Sequence, residues 1–118
     1  MALTQTSTNR LETIGRLAAG ITHEINTPIH YLDNNLAFLK TAFSDLLNLQ
    51  GQYRSLLNQI REGKSPSLES LTALAAEETR VDPGYLETEI QRTLDQSLEG
   101  IDRVAKIVLA LKDFAHPS

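Results

Sequence analysis

Leu32-Asp33-Asn34-Asn35-Leu36-Ala37-Phe38-Leu39-Lys40-Thr41-Ala42-Phe43-Ser44-Asp45-Leu46-Leu47-Asn48-Leu49 places an apolar side chain every three to four residues. Leu32, Leu39, Ala42, Leu46 and Leu49 share one stripe, interrupted by Asn35, and that period belongs to a helix rather than a strand. Outward from this stretch the same seam runs back through Pro28, Ile25, Ile21, Ala18 and Ile14 to Leu11. It runs forward through Tyr53 and Leu56 to Ile60. That is an a/d heptad seam held for about seven heptads. A flanking stripe at Ile29, Leu36, Phe43 and Leu57 widens the apolar face. A wide face suits a four-helix bundle, whereas a strict two-position seam suits a two-stranded coil. At about 1.5 Å per residue the helix is roughly 75 Å long. A 118-residue globule does not bury a rod of that length, so a partner chain is expected.

The remaining chain reads as a hairpin built on this helix. Residues 1–8 are polar and aperiodic and are expected to be a disordered or frayed lead-in, with the first helix over about 9–62. Gly63 is the stop signal, with Ser65-Pro66 behind it. In the tip segment, 63–82, Ser67 is placed to cap a short extra helix through Leu68, Leu71, Leu74 and Ala75. Asp82 and Pro83 form an N-cap and first-position pair for a second long helix over about 83–115. Its expected seam is Leu86, Ile90, Leu94, Leu98, Ile101, Ala105, Val108 and Leu111, broadened by Val104 and Ile107, and His116-Pro117 ends it. The predicted fold is all-α. Residues 9–116 form a long antiparallel helical hairpin, and two such hairpins make a homodimeric four-helix bundle.

Composition limits the alternatives. Hydrophobic residues make up 41% of the chain but aromatics only 5%, with no Trp, so the core is expected to be aliphatic. A net charge of −4 argues against nucleic acid or an anionic membrane as partner. The absence of Cys excludes disulfides and thiolate metal sites. No apolar run approaches the roughly 20 residues needed to cross a bilayer, and Met1-Ala2-Leu3-Thr4 lacks the start of a signal peptide. A cytoplasmic location is expected, and a longer parent protein remains free to be membrane-anchored through other segments.

Chemistry concentrates in Leu17-Ala18-Ala19-Gly20-Ile21-Thr22-His23-Glu24-Ile25-Asn26-Thr27-Pro28-Ile29. Proline inside a helix removes a backbone hydrogen bond and costs roughly 3 kcal/mol, so a purely structural helix avoids it. Pro28 is expected to kink the helix just below His23, and Gly20 loosens it a turn above by about 1 kcal/mol relative to Ala. With Leu11, Ala18 and Ile25 at position a, His23 falls at f and faces away from the seam. An exposed neutral imidazole is a competent nucleophile near pH 7. A solvated surface histidine without a role is the alternative. Glu24 can lean across to take the Nδ1 proton, and its alternative is a solvated carboxylate on the bundle flank. Thr27, one turn on, shares the His23 face and can align a water or contact a phosphoryl group. Otherwise its hydroxyl bonds a backbone carbonyl. Asn26 is placed for similar work. Zinc chemistry fails on spacing, because H-E-x-x-H needs a second His where Thr27 stands. His30 is one heptad beyond His23, about 10.5 Å along the axis, too far for a shared metal.

Residues 14–29, Ile14-Gly15-Arg16-Leu17-Ala18-Ala19-Gly20-Ile21-Thr22-His23-Glu24-Ile25-Asn26-Thr27-Pro28-Ile29, resemble the H-box of sensor histidine kinases of two-component systems. More narrowly, they resemble the dimerisation and histidine-phosphotransfer (HisKA) domain, a likeness that covers about residues 10–116. Ile107-Val108-Leu109-Ala110-Leu111-Lys112-Asp113-Phe114-Ala115 is similar to the family's exit towards its ATP-binding domain. The resemblance implies that His23 is the phosphoacceptor and Glu24 its acid/base assistant, and that Thr27 positions water for dephosphorylating a response regulator. Asn26 fills a position that is often Arg in relatives. The implied partners are a second copy, the receiver domain of a response regulator docking near His30, Tyr31 and Asn34, and the kinase's own ATP-binding domain. ATP and Mg belong to that missing domain. Nothing in this chain resembles a Gly-rich phosphate cradle, so no cofactor is expected here and the chain by itself is not expected to be active. The rival readings are a histidine phosphotransferase that is not a kinase, and a dimeric coiled-coil scaffold without catalysis.

Overall fold

The computed structural model describes the backbone of residues 2–115 and the side chains of residues 8–114. Three helices follow one another: α1 (Ala2–Arg61), α2 (Leu68–Val81) and α3 (Pro83–Ala115), with no strand among the described residues. The protein is all-α. The helix α1 begins at Ala2, so most of the expected lead-in is helical. No Gly or Pro interrupts the chain before Gly15, and without a breaker the helix propagates through polar residues. Met1, His116 and Pro117 lie outside the described residues.

Local chemistry fixes each junction. At the end of α1, Gly63 adopts φ 78°, and its N–H donates to the Ile60 carbonyl at 3.0 Å. The Lys64 N–H reaches the Gln59 carbonyl at 2.9 Å. This 6→1 and 5→2 pair is a Schellman stop, which satisfies carbonyls that a terminating helix leaves open. Ser67 caps α2, its hydroxyl oxygen accepting from the Ser70 N–H at 3.0 Å. Asp82 serves two helices. Its N–H donates to the Glu78 carbonyl at 2.9 Å to close α2, and its Oδ1 accepts from the Tyr85 N–H at 3.3 Å to open α3. It does so at φ 52°, a left-handed conformation that Asp tolerates better than most residues.

The chain divides into two compact units, residues 35–95 and residues 1–34 with 96–118. The 35–95 unit holds the buried core: Leu39, Ala42 and Leu49 from α1, Val81 from α2, and Leu86 and Ile90 from α3. Phe38, Leu46 and Leu74 pack around it. Polar contacts tie α2 to α1. The Tyr53 hydroxyl donates to the Glu78 carboxylate, and the Arg80 guanidinium lies 2.6 Å from Glu77 and 3.5 Å from Asp45.

Hydrogen bonding from Arg80 holds the Glu77 carboxyl below its ordinary range, and the Tyr53 phenol is pushed up by its bond to Glu78. A depressed carboxylate contributes stability that is complete above its unfolded pKa and lost as pH falls through the folded one. A raised phenol contributes stability that is present below about 10 and lost as pH rises through its folded value. An NMR titration of side-chain carboxyls is therefore expected to find Glu77 titrating below the ordinary carboxylate range, and Arg80→Gln to raise it.

In the other unit the early part of α1 pairs antiparallel with the late part of α3. Along α3, in both units, the inward face differs from the expected seam. Leu94, Leu98, Ile101 and Val108 are exposed, Leu98 at 64% and Ile101 at 56%. Thr93, Ser97 and Gly100 are buried instead, and Val104, Ile107 and Leu111 are half-buried. With Leu86 and Ile90 these positions keep an unbroken four–three spacing along α3. Hydrophobicity pointed to the neighbouring stripe because the true seam is small and polar at its middle.

Small residues there let side chains from α1 approach closely. A Cβ on Gly100 would stand 2.7 Å from Cε2 of Tyr31, so the glycine is a seat for that ring. The ring is a side-chain tip and can swing aside for a methyl, and Ala gains about 1 kcal/mol of helix propensity over Gly. Gly100→Ala is expected to stay within about 1 kcal/mol of wild type for that reason. Gly100→Leu evicts the ring and is expected to lose about 1–3 kcal/mol by overpacking. Adding Tyr31→Ala should restore part of that loss in urea denaturation.

Candidate functional site

His23, Glu24, Asn26 and Thr27 are exposed on a single stretch of α1, while Ile21 and Ile25 beside them are half-buried. This alternation follows from the helical period: apolar residues four apart turn inward and carry the intervening imidazole out. The Thr27 hydroxyl donates to the His23 carbonyl at 3.1 Å. Its proton is thus committed to the backbone, while its oxygen lone pairs remain open to a water donor. Thr22 makes the same type of bond to the Ala18 carbonyl at 2.7 Å.

Pro28 lies within the continuous α1 helix. Having no N–H, it leaves the Glu24 carbonyl without its usual donor four residues on. Its ring is among the most deeply buried side chains in the protein, so the residue that weakens the backbone is also a packing element. Gly20, a turn above His23, has open space around its Cα.

The three expected docking residues divide. His30 and Asn34 are exposed further along α1. Tyr31 is half-buried with its ring against Gly100 of α3, so intrachain packing occupies a side chain expected to meet a partner. Register gives the angular position of a Cα, and a long aromatic side chain reaches beyond it.

The structure adds a groove between α1 and α3 that the sequence reading did not contain. It has a volume of about 560 Å³ and is floored by apolar side chains such as Ile14, Ile21, Ile107 and Leu111. The charged residues lining it are Glu24 from α1 and Arg103 and Lys106 from α3. Lys106 is held by Asp102 at 2.9 Å. His23 does not line this groove, so Glu24 stands between the imidazole on one side and the groove on the other. Ile107 and Leu111, four apart, were the sequence signal that pointed to this wall.

Among the described residues no group of three or more His, Cys, Asp or Glu is placed to hold a metal, and no helix is long and apolar enough to cross a membrane. The site offers an exposed imidazole, an adjacent carboxylate, an amide and a hydroxyl within about one turn. That set can accept a group at nitrogen, take up a proton and orient water. No protein-family model, curated protein or solved structure matches this chain.

Proposed function

We propose that this chain is the dimerisation and phosphoacceptor domain of a sensor histidine kinase, a transferase that acts with a separate ATP-binding domain. The observation that carries the reading is the exposed His23 beside Glu24, one turn ahead of Thr27 and Pro28 on a long helix. In the proposed step, His23 Nε2 attacks the γ-phosphorus of ATP. The bond from phosphorus to the ADP oxygen breaks with its electron pair leaving on ADP, the N–P bond forms, and the Nδ1 proton passes to Glu24. An Asp carboxylate of a response-regulator receiver then attacks the phosphorus, and the N–P bond breaks with its electron pair returning to the imidazole as Nδ1 regains the proton from Glu24. Exposure serves both halves, because two proteins must reach one nitrogen in turn.

The proposed assembly is a homodimeric four-helix bundle in a cytoplasmic setting. The apolar side chains left open on one copy support it, among them Leu36 and Phe43 of α1 and Leu98 and Ile101 of α3. Burying each such residue is worth about 1.5–3 kcal/mol, enough to make a lone hairpin an unfavourable state. Sedimentation at micromolar concentration is expected to find a dimer, and a stable folded monomer would overturn the architecture.

The test of function is phosphorylation in trans. Mixed with the ATP-binding domain of a sensor kinase and labelled ATP, the chain is expected to take up acid-labile, alkali-stable phosphate on the peptide containing His23. No label, or label on another residue, would overturn the reading. Thr27→Ala is expected to keep that label and to slow dephosphorylation of the receiver, because the variant loses the hydroxyl that orients water.

A further inference from the structure

We infer that Tyr31 and Gly100 form the fastening point of the unit built from residues 1–34 and 96–118, and that the stretch carrying His23 swings about it. Among the described residues of that unit only Pro28, Ser97 and Gly100 are buried, and Tyr31 is half-buried with its ring edge on Gly100. Towards the start of α1 the packing thins. Ile25 and Ile21 are half-buried, whereas Leu17 and Ile14 are exposed, and the groove of about 560 Å³ opens there between α1 and α3. A helix end with few buried contacts opens at a lower free energy than the part that is packed.

Gly100 is the one place on the inward α3 stripe where the ring can rest. The other members of its four–three spacing, Thr93, Ser97, Val104 and Ile107, all carry a Cβ. A Cβ on Gly100 would stand 2.7 Å from Cε2 and 3.0 Å from the hydroxyl oxygen of Tyr31, so the seated ring and a larger side chain exclude one another. The backbone is weakest just ahead of this contact. Pro28, three residues before Tyr31, has no N–H for the Glu24 carbonyl, and helices bend at proline. Its ring is buried, so Pro28 to Tyr31 is held, while the turns before it have at best half-buried side chains. His23 lies in those turns, and the seat therefore governs how far its stretch leans from α3.

The experiment reads distance and amide exchange rather than phosphate, so failure of the phosphoacceptor reading leaves its result intact. The chain has no Cys, so spin labels can be placed on Arg16→Cys and Asp113→Cys, exposed sites on the two helices. Lys40→Cys with Gln91→Cys is the reference pair in the 35–95 unit. Doubly labelled chain is diluted with excess unlabelled chain, so that only distances within one copy are read. Tyr31→Ala empties the seat and is expected to broaden the distance distribution of the Arg16 and Asp113 labels. In the same variant the amides of residues 14–24 are expected to exchange about tenfold faster. Gly100→Leu fills the seat and is expected to broaden the distribution likewise, whereas Tyr31→Phe keeps the ring and is expected to match wild type. The reference pair is expected to hold its distribution in all three. Wild-type distances and exchange in Tyr31→Ala would overturn the inference. So would equal broadening of the reference pair, which means general loosening, or a Tyr31→Phe variant that behaves as Tyr31→Ala does.

Discussion

His23→Gln is expected to remove acid-labile phosphate completely while leaving the fold unchanged. His23 is exposed, its ring makes no contact on which the buried core depends, and Gln is at least as good a helix former. Exposed substitutions of this kind stay within about 0.5 kcal/mol, so circular dichroism and melting should match wild type. An amide nitrogen has no free lone pair for phosphorus, which makes the loss of label chemical rather than structural. His30→Gln is the informative companion, since His30 is equally exposed on the same stripe. It is expected to keep its label in full. Label surviving in His23→Gln, or disappearing in His30→Gln, would move the site or dissolve it.

Leu49→Ala is expected to give the largest loss of stability, about 2–5 kcal/mol, read as a lower urea midpoint with little change in slope. Leu49 is 2% exposed and belongs to a core of six buried side chains, so few neighbours remain to close over the cavity. The amides of residues 35–95 should lose hydrogen-exchange protection together, because α1, α2 and α3 all contribute to that cluster. Leu68→Ala is the contrast. Leu68 is 80% exposed in the first turn of α2, and its truncation should change stability by less than about 0.5 kcal/mol. A loss below about 1 kcal/mol for Leu49→Ala would mean that the core does not sit where α1 and α3 place it.

Much of this architecture is local and was therefore legible. The repeating Leu, Ile and Ala of α1 announce the helix and, from Ile21 to Leu49, its inward face, whereas Leu11, Ile14, Tyr53 and Ile60 of the expected seam are exposed. Gly63, Ser67 and Asp82-Pro83 end or start helices through bonds to their own neighbours. What escaped depends on size and reach. On α3 the packed positions Thr93, Ser97 and Gly100 are small or polar, so a search for hydrophobicity prefers Leu94, Leu98 and Ile101. Gly100 gives no signal of its own, since its role appears only when Tyr31 lies on it. The start of α1 escaped for the opposite reason: polar residues without a breaker still propagate a helix. At the site, the order of His23, Glu24 and Thr27 was readable, whereas the bond from the Thr27 hydroxyl to the His23 carbonyl depends on a rotamer. Of the α3 wall that carries Arg103, Ile107 and Leu111 were legible by their spacing, and the charged residues were not.

The double use of Asp82 bears on how this protein tolerates new sequence. Between α1 and α2 the chain has Lys64, Ser65 and Pro66 outside any helix, bounded by a Schellman stop on one side and a serine cap on the other. Each of those junctions closes without the other, so a short epitope spliced between Lys64 and Ser65 adds about the modest entropy of a longer loop and breaks no cap. Between α2 and α3 there is one residue, and both helix ends draw on it. A single glycine added after Asp82 would move the Tyr85 and Leu86 amides one residue away from the carboxylate and carbonyl that accept them, while the amide that closes α2 stays in place. For tagging or circular permutation, the two ends of α2 are unequal, with the permissive one at its start.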